Sequence, residues 1–346
     1  MTEAAVRAAF ETQARYCDEL GSPFGAVLCR LLGERLQPAS RFGGRILAWP
    51  GAPTRDALAL RAIGALHHLA RSGAVPDLSA AYPPHPADAE TLWGAVQKAI
   101  ATQDAAVTAF LDSPPQTNEV GRSGALLGML LRVSEATGLP LNLIEIGASA
   151  GLNLDVDAYR YDLGEAGRWG DPASPIEVAC AWSGAVPPRD AALQVASRAG
   201  CDRNPLDPAS AGDRERLLAY VWADQSARLA RMEAALARAA RRGWTVERAD
   251  AADWLTARLR VLPEARTTVV YHTIVWQYLA DETKGRIAAA LAEASSRATT
   301  DAPLAWARME PDAERDTAGL RLTLWPGGEE RVLGRADFHG RFVRWT

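Results

Sequence analysis

Four short stretches of the 346-residue chain carry residues whose types and spacing suit chemistry. The first, LNLIEIGASAGLNLD, runs from Leu141 to Asp155. Its apolar start reaches a carboxylate at Glu145, then spaces Gly147 and Gly151 four apart around Ser149. A glycine directly after a strand lets backbone N–H groups approach a ligand, and the next helix offers its positive end. A tight strand-to-helix turn needs the same glycines. The second, RADAADWL, puts Asp250 and Ala251 at the end of another strand. An acid beside a backbone N–H can pair with the edge of an adenine ring, or it can cap the helix that carries Trp254. The third, VVYHTIVWQYL, ends an apolar strand with His272, a residue that can bind a ligand, shuttle a proton or satisfy a core. The fourth, ARMEP, ends a strand with Glu310, a candidate general base or substrate anchor, with a cap or loop role as the alternative.

Other polar groups point less clearly to chemistry. PPQTNEVGRSG packs Gln116, Thr117, Asn118, Glu119 and Arg122 together ahead of a helix, more than one cap requires. YVWADQSARL sets Asp224 and Arg228 four apart, which a surface ion pair explains. His339 reads as a hairpin residue. His67 and His68 have no partner at metal-ligand spacing, so no metal site is expected. Cys17, Cys29, Cys180 and Cys201 form no CxxC pair and read as buried, reduced thiols. The 11 tryptophans read chiefly as core filling.

The elements that must position these residues follow from periodicity. Residues 1–113 read as a helical domain; in RDALALRAIGALHHLARSG the apolar spacing is helical and Gly73 and Pro76 end it. The breaks YPPHPADAE and DSPPQTNEVGRSG lead into a second domain, 114–346. There, strands and helices alternate. LNLIEIG, SPIEVACAW, WTVERAD, TTVVYHTI and PLAWARME read as strands. DRERLLAYVWADQSARLARMEAALARAARRG reads as one long helix. LRLTLWPGGEERVLGRADFHGRFVRW reads as strands joined by a Pro-Gly-Gly turn. The pattern predicts an α/β fold: a three-layer α/β/α sandwich with a mostly parallel sheet and a closing antiparallel hairpin, after an all-helical N-terminal domain. Residues 159–207 read as loop-rich.

Composition excludes some classes. Hydrophobic residues make up 48% and charged residues 23%, as in ordinary globular proteins. A net charge of -4 lacks the basic footprint of nucleic-acid binding. The window GALLGMLLRV is too short to span a bilayer, and MTEAAVRAAFETQARY lacks the apolar core of a signal peptide. A cytoplasmic protein with a small-molecule substrate and no membrane partner is expected.

Together, LIEIGASAGLNL, ADAADWL and the closing hairpin resemble class I S-adenosylmethionine-dependent methyltransferases over roughly residues 121–346. The resemblance implies S-adenosylmethionine as cofactor. Glu145, Gly147, Ser149 and Gly151 would lie at its amino-acid and ribose side, with Asn118 and Arg122 on the carboxylate and Asp250 and Ala251 on the adenine. His272 or Glu310 would be the base or substrate anchor. Ser149 stands where that family has its middle glycine. The ribose-binding acid should end the second strand: IEVACAW supplies none, and AYRYDL supplies Asp162. The alternatives are an enzyme of other chemistry on the same scaffold, or a non-enzymatic protein that binds a metabolite or a protein. SPPQTNEVGRSGAL, EIGASAGLNL, CDRNPLDP, YVWADQSARL, VVYHTIVWQYL, PLAWARMEP and WPGG are also similar, along nearly the whole chain, to a prokaryotic family, the domain of unknown function 2332, which implies no activity.

Overall fold

The computed structural model describes residues 2–85, 87–314 and 316–346. The chain divides into two compact units, Met1–Thr117 with Ala211–Ala230, and Asn118–Ser210 with Arg231–Thr346.

The first unit holds α1 (Glu3–Glu19), α2 (Pro23–Arg35), α3 (Arg41–Leu47), α4 (Leu58–Ser72), α5 (Pro76–Ala80) and α6 (Ala89–Phe110). Their apolar stripes close on Val6, Phe10, Leu32, Phe42, Leu66 and Leu92. As the sequence predicts, α4 stops at Gly73, whose φ of +70° is the left-handed cap that glycine adopts without cost.

The expected long helix is two, α8 (Ala211–Ala219) and α9 (Ser226–Ala239). The break at residues 220–225 has a physical cause. The Asp224 carboxylate accepts from Ser22 Oγ at 2.6 Å and from Phe24 N at 2.9 Å, closing the start of α2. Gln225 Nε2 donates to Leu20 O at 3.0 Å. Arg228 bonds Gln225 Oε1.

The second unit opens with α7 (Ser123–Thr137) and then β1 (Leu141–Ile146). A small sheet follows from β2 (Arg160–Asp162), β3 (Arg168–Trp169) and β4 (Glu177–Ala179). Then come β5 (Ala181–Gly184), β6 (Val195–Asp202), β7 (Glu247–Arg248), α10 (Ala251–Arg258) and β8 (Thr267–Thr273). The chain closes with α11 (Asp281–Ser295), β9 (Leu304–Pro311), β10 (Ala318–Trp325), β11 (Glu330–Ala336) and β12 (Phe342–Trp345). The large sheet has nine strands in the order β5-β12-β11-β10-β9-β8-β1-β6-β7. From β7 to β9 all pairings are parallel; β9 to β12 form an antiparallel meander. The α/β class and the helical start are as expected.

Successive residues of a strand face opposite sides. Ile144, Ile146, Val270 and Leu304 bury one face against Ala252 and Leu255 of α10 and Ile287 and Leu291 of α11. Leu143, Val269 and Ala307 are as deeply buried on the other face, and α7 packs against β9 and β10. Helices therefore cover the sheet on both sides.

Three strands differ from the sequence reading. SPIEVACAW splits at Cys180 into β4 and β5, which belong to different sheets. WTVERAD contributes only β7. The second parallel strand is β6, from a segment that reads as loop. It is polar because Ser197 Oγ bonds Asn142 Oδ1 at 2.8 Å and Arg198 bonds Leu154 O at 2.8 Å and Asp157 at 2.5 Å. A fully paired polar strand carries no hydrophobic signature.

Candidate functional site

In a parallel sheet whose strand order reverses, a crevice opens at the carboxyl ends of the strands beside the reversal. The chain starts at β1, moves outward through β6 and β7, and returns to β8 and β9 on the other side. The reversal lies between β1 and β8. A cleft of about 140 Å³ opens there, lined by Ile146, Gly147, Asp202, Asp250, Ala251 and Val275 among others. Arg203, Leu279 and Tyr278 complete its lip.

The acid that ends the second strand is Asp202, which sequence reasoning missed. Its Oδ2 accepts from Ser149 N at 2.9 Å and its Oδ1 from Asn204 N at 2.8 Å. A carboxylate has about four acceptor positions, so both oxygens keep capacity for a ligand hydroxyl. Asp162, the sequence candidate, sits in the small sheet and binds Gly164 N at 3.0 Å. The signal was hidden by distance. A dinucleotide fold sets this acid about 20 residues beyond its glycines, whereas the small sheet and β5 push Asp202 to 51 residues beyond Gly151.

The glycine turn is held by protein on every side. Ala148 N donates to Cys201 O at 3.0 Å, Ser149 N to Asp202, and Gly151 N to Ala148 O at 2.6 Å. Asn118 Oδ1 accepts from Ala150 N at 3.2 Å and Leu152 N at 2.9 Å, so Asn118 braces the turn from behind. Arg242 binds the carbonyls of Ala150 and Gly151 and the carboxylate of Asp155. The glycines make room for side chains. A Cβ at Gly147, φ +68°, would stand 3.0 Å from Val275 Cβ and closer still to its Cγ2. One at Gly151, φ +71°, would meet Arg242 and Val246 at 2.9 Å. Ser149 adopts φ +53° without glycine's freedom. Beyond Gly151 the chain enters the 3₁₀ turn Leu152–Ala158 instead of an α-helix, so the expected helix dipole is missing from the turn.

Glu145 lies beneath, fully buried. Burial raises its carboxyl well above the ordinary glutamate range, against the pull of Arg242 and Arg122, and its Oε2 has no hydrogen-bond partner. Arg122 gives Nε to Phe338 O at 2.9 Å and Nη1 to Thr273 O at 3.3 Å. Asp250 caps α10, its Oδ1 accepting from Ala252 N at 3.0 Å and Asp253 N at 3.4 Å, while it also lines the cleft with Ala251.

His272 is 0% exposed. Trp306 Nε1 donates to its Nε2 at 3.2 Å, and an indole only donates, so the imidazole proton sits on Nδ1 and goes to Glu310 Oε1 at 2.7 Å. Both ring nitrogens are engaged within the protein. Glu310 also accepts from Val275 N and Trp276 N. The structure thus brings Gly147, Asp250 and Ala251 to the cleft, sets Ser149 and Gly151 in the turn with Asn118 behind it, and leaves Glu145, Arg122, His272 and Glu310 bonded or buried within the protein.

Among the described residues, no group of three or more His, Cys, Asp or Glu gathers as a metal site, and no helix is long and apolar enough to cross a membrane. A family model described as "Uncharacterized protein conserved in bacteria (DUF2332)" matches residues 7–345. The chain belongs to that family. The DUF2332 match takes in β1, β6, β8 and β9 and every residue of the cleft. No curated protein and no solved structure matches.

Proposed function

We propose that this DUF2332 protein is an S-adenosylmethionine-dependent methyltransferase acting on a small molecule. One observation carries the reading: Asp202 at the end of β6 and Asp250, just beyond its neighbour β7, line a single cleft walled by Ile146, Ala251, Val275 and Leu279. An acid for ribose hydroxyls, an apolar slot for a base and the Ala251 N–H in the first turn of α10 suit a nucleoside. The satisfied turn amides narrow the choice. A dinucleotide pyrophosphate relies on free N–H groups in that turn, and a sulfonium nucleoside does not. Bound there, the cofactor would supply a methyl group for in-line transfer, which asks of the protein mainly alignment and exclusion of water. Asp202 would orient the ribose, and Ala251 and Leu279 would sandwich the base. The net charge of -4 supports a small acceptor over a nucleic acid.

A second reading, a nucleoside-binding protein without turnover, draws on the engagement of both His272 nitrogens. Calorimetry with S-adenosylmethionine, S-adenosylhomocysteine and NAD tests the first. The two adenosyl compounds should bind with Kd below about 1 mM and NAD should not. Asp202→Ala removes two charge-assisted bonds to ribose, about 3 kcal/mol, so affinity should fall roughly a hundredfold. No binding by the wild type, or binding indifferent to Asp202→Ala, refutes the proposal. Methyl transfer to an acceptor library separates the two readings.

A further inference from the structure

We infer that His272 and Glu310 form a positioning pair. It pins the turn from Ile274 to Tyr278 as one wall of the cleft, so that ligands are selected through Val275 and Tyr278. The part concerning ligands rests on the proposed nucleoside site; the pin does not.

The turn needs holding. Ile274 directly follows β8 with φ +54°, a left-handed conformation that strains a β-branched residue. Such a conformation persists only where its surroundings over-determine it. Ile274 N donates to Met309 O at 2.9 Å. The next two amides go to one carboxylate, Val275 N to Glu310 Oε1 at 3.0 Å and Trp276 N to Oε2 at 3.2 Å. His272 Nδ1–H supplies the third donor, and the Trp276 ring stacks on the imidazole at 5.0 Å and 12°. Trp306 fixes the tautomer from the other side. Strands β8 and β9, which carry the pair, are parallel neighbours in the sheet, and the Glu310 side chain is 12% exposed.

The consequence lies two residues on. Tyr278 N bonds Val275 O at 2.9 Å, continuing the turn across the cleft mouth. Val275 is set against Gly147, and Tyr278, 75% exposed, stands at the lip. An aromatic ring held at the edge of an apolar slot suits the face of a planar base.

Amide hydrogen exchange on the full chain, with S-adenosylhomocysteine titration, tests the pair. Glu310→Ala should lower protection of the Val275 and Trp276 amides about tenfold or more, leave β1 amides protected, and weaken the ligand about tenfold. Glu310→Gln keeps one acceptor oxygen and should fall between wild type and alanine; it also serves if Glu310→Ala does not fold. Tyr278→Leu should weaken the ligand without altering exchange at those amides. The pin is overturned if Glu310→Ala and Glu310→Gln leave both amides as protected as in the wild type. The selective role is overturned if the amides loosen while affinity stays constant. A wild-type chain that binds no S-adenosylhomocysteine refutes the proposed function and the selective role together, and exchange still decides the pin.

Discussion

Replacing Gly147 with alanine imposes two separate demands on the turn after β1. The backbone there has φ +68°, and a residue with a Cβ loses about 1–2 kcal/mol in that region. The added Cβ would also stand 3.0 Å from Val275 Cβ and nearer its Cγ2, and overpacking of that kind costs about 1–3 kcal/mol. Gly147→Ala should therefore destabilise the chain by about 2–5 kcal/mol. Val275→Ala alone removes two methyl groups from a half-buried site, about 1–1.5 kcal/mol. An alanine at 275 removes the closest clash, with Cγ2, but keeps its Cβ at 3.0 Å, so the alanine at 147 retains its backbone strain and part of the crowding. The double variant should then be less destabilised than the sum of the singles by about 1–2 kcal/mol. Urea unfolding of the four proteins, with equal slopes, reads this coupling directly. Additivity within about 0.5 kcal/mol would refute the claim that Gly147 is glycine to seat Val275. The backbone conformation alone, φ +68°, would then account for that glycine.

Asp224→Ala breaks the bonds to Ser22 and Phe24 that hold the 220–225 segment. It should cost about 2–4 kcal/mol in chemical denaturation, and a change below about 0.5 kcal/mol would contradict that role. Burial lowers the His67 pKa from 6.5 to about 4. The unfolded chain takes up that proton first, so stability should fall between pH 6.5 and 4, by about 3 kcal/mol at most, and His67→Gln should flatten the dependence. An unchanged pH profile in that variant would count against it. Glu145 is the opposite case: its raised pKa means the folded chain holds a proton that the unfolded chain releases above about pH 4.5. Stability is lost as pH rises through that window, so Glu145→Gln should be more stable than wild type at pH 8 and equal near pH 4. Equal stability at pH 8 would show the carboxyl to be compensated.

Much of the scaffold was legible because it follows from periodicity. The helices of the first unit, β1, β8 and β9 carry strong apolar patterns, and Gly73 ends α4 as its type requires. The glycines at 147 and 151 marked a tight turn after β1, and both have positive φ. The errors fall where a partner remote in sequence sets the local structure. The α8–α9 break exists because Asp224 bonds the start of α2, some 200 residues away. Strand β6 escaped because Arg198 and Ser197 find polar partners in Asp157 and Asn142, leaving no hydrophobic alternation to read.

The sequence by itself determined the α/β class, the helical opening, the glycine turn after β1 and the acids Asp250 and Glu310, since these depend on neighbours along the chain. Tertiary structure alone decided which strand ends meet. It set Asp202 beside Asp250 and Ala251 in one cleft, turned Asn118 and Arg122 to structural carbonyls and amides, and closed His272 between Trp306 and Glu310. The physical reason is strand order. The parallel pairing of β1 with both β6 and β8 brings residues from distant segments to a common edge, and spacing along the chain does not encode it.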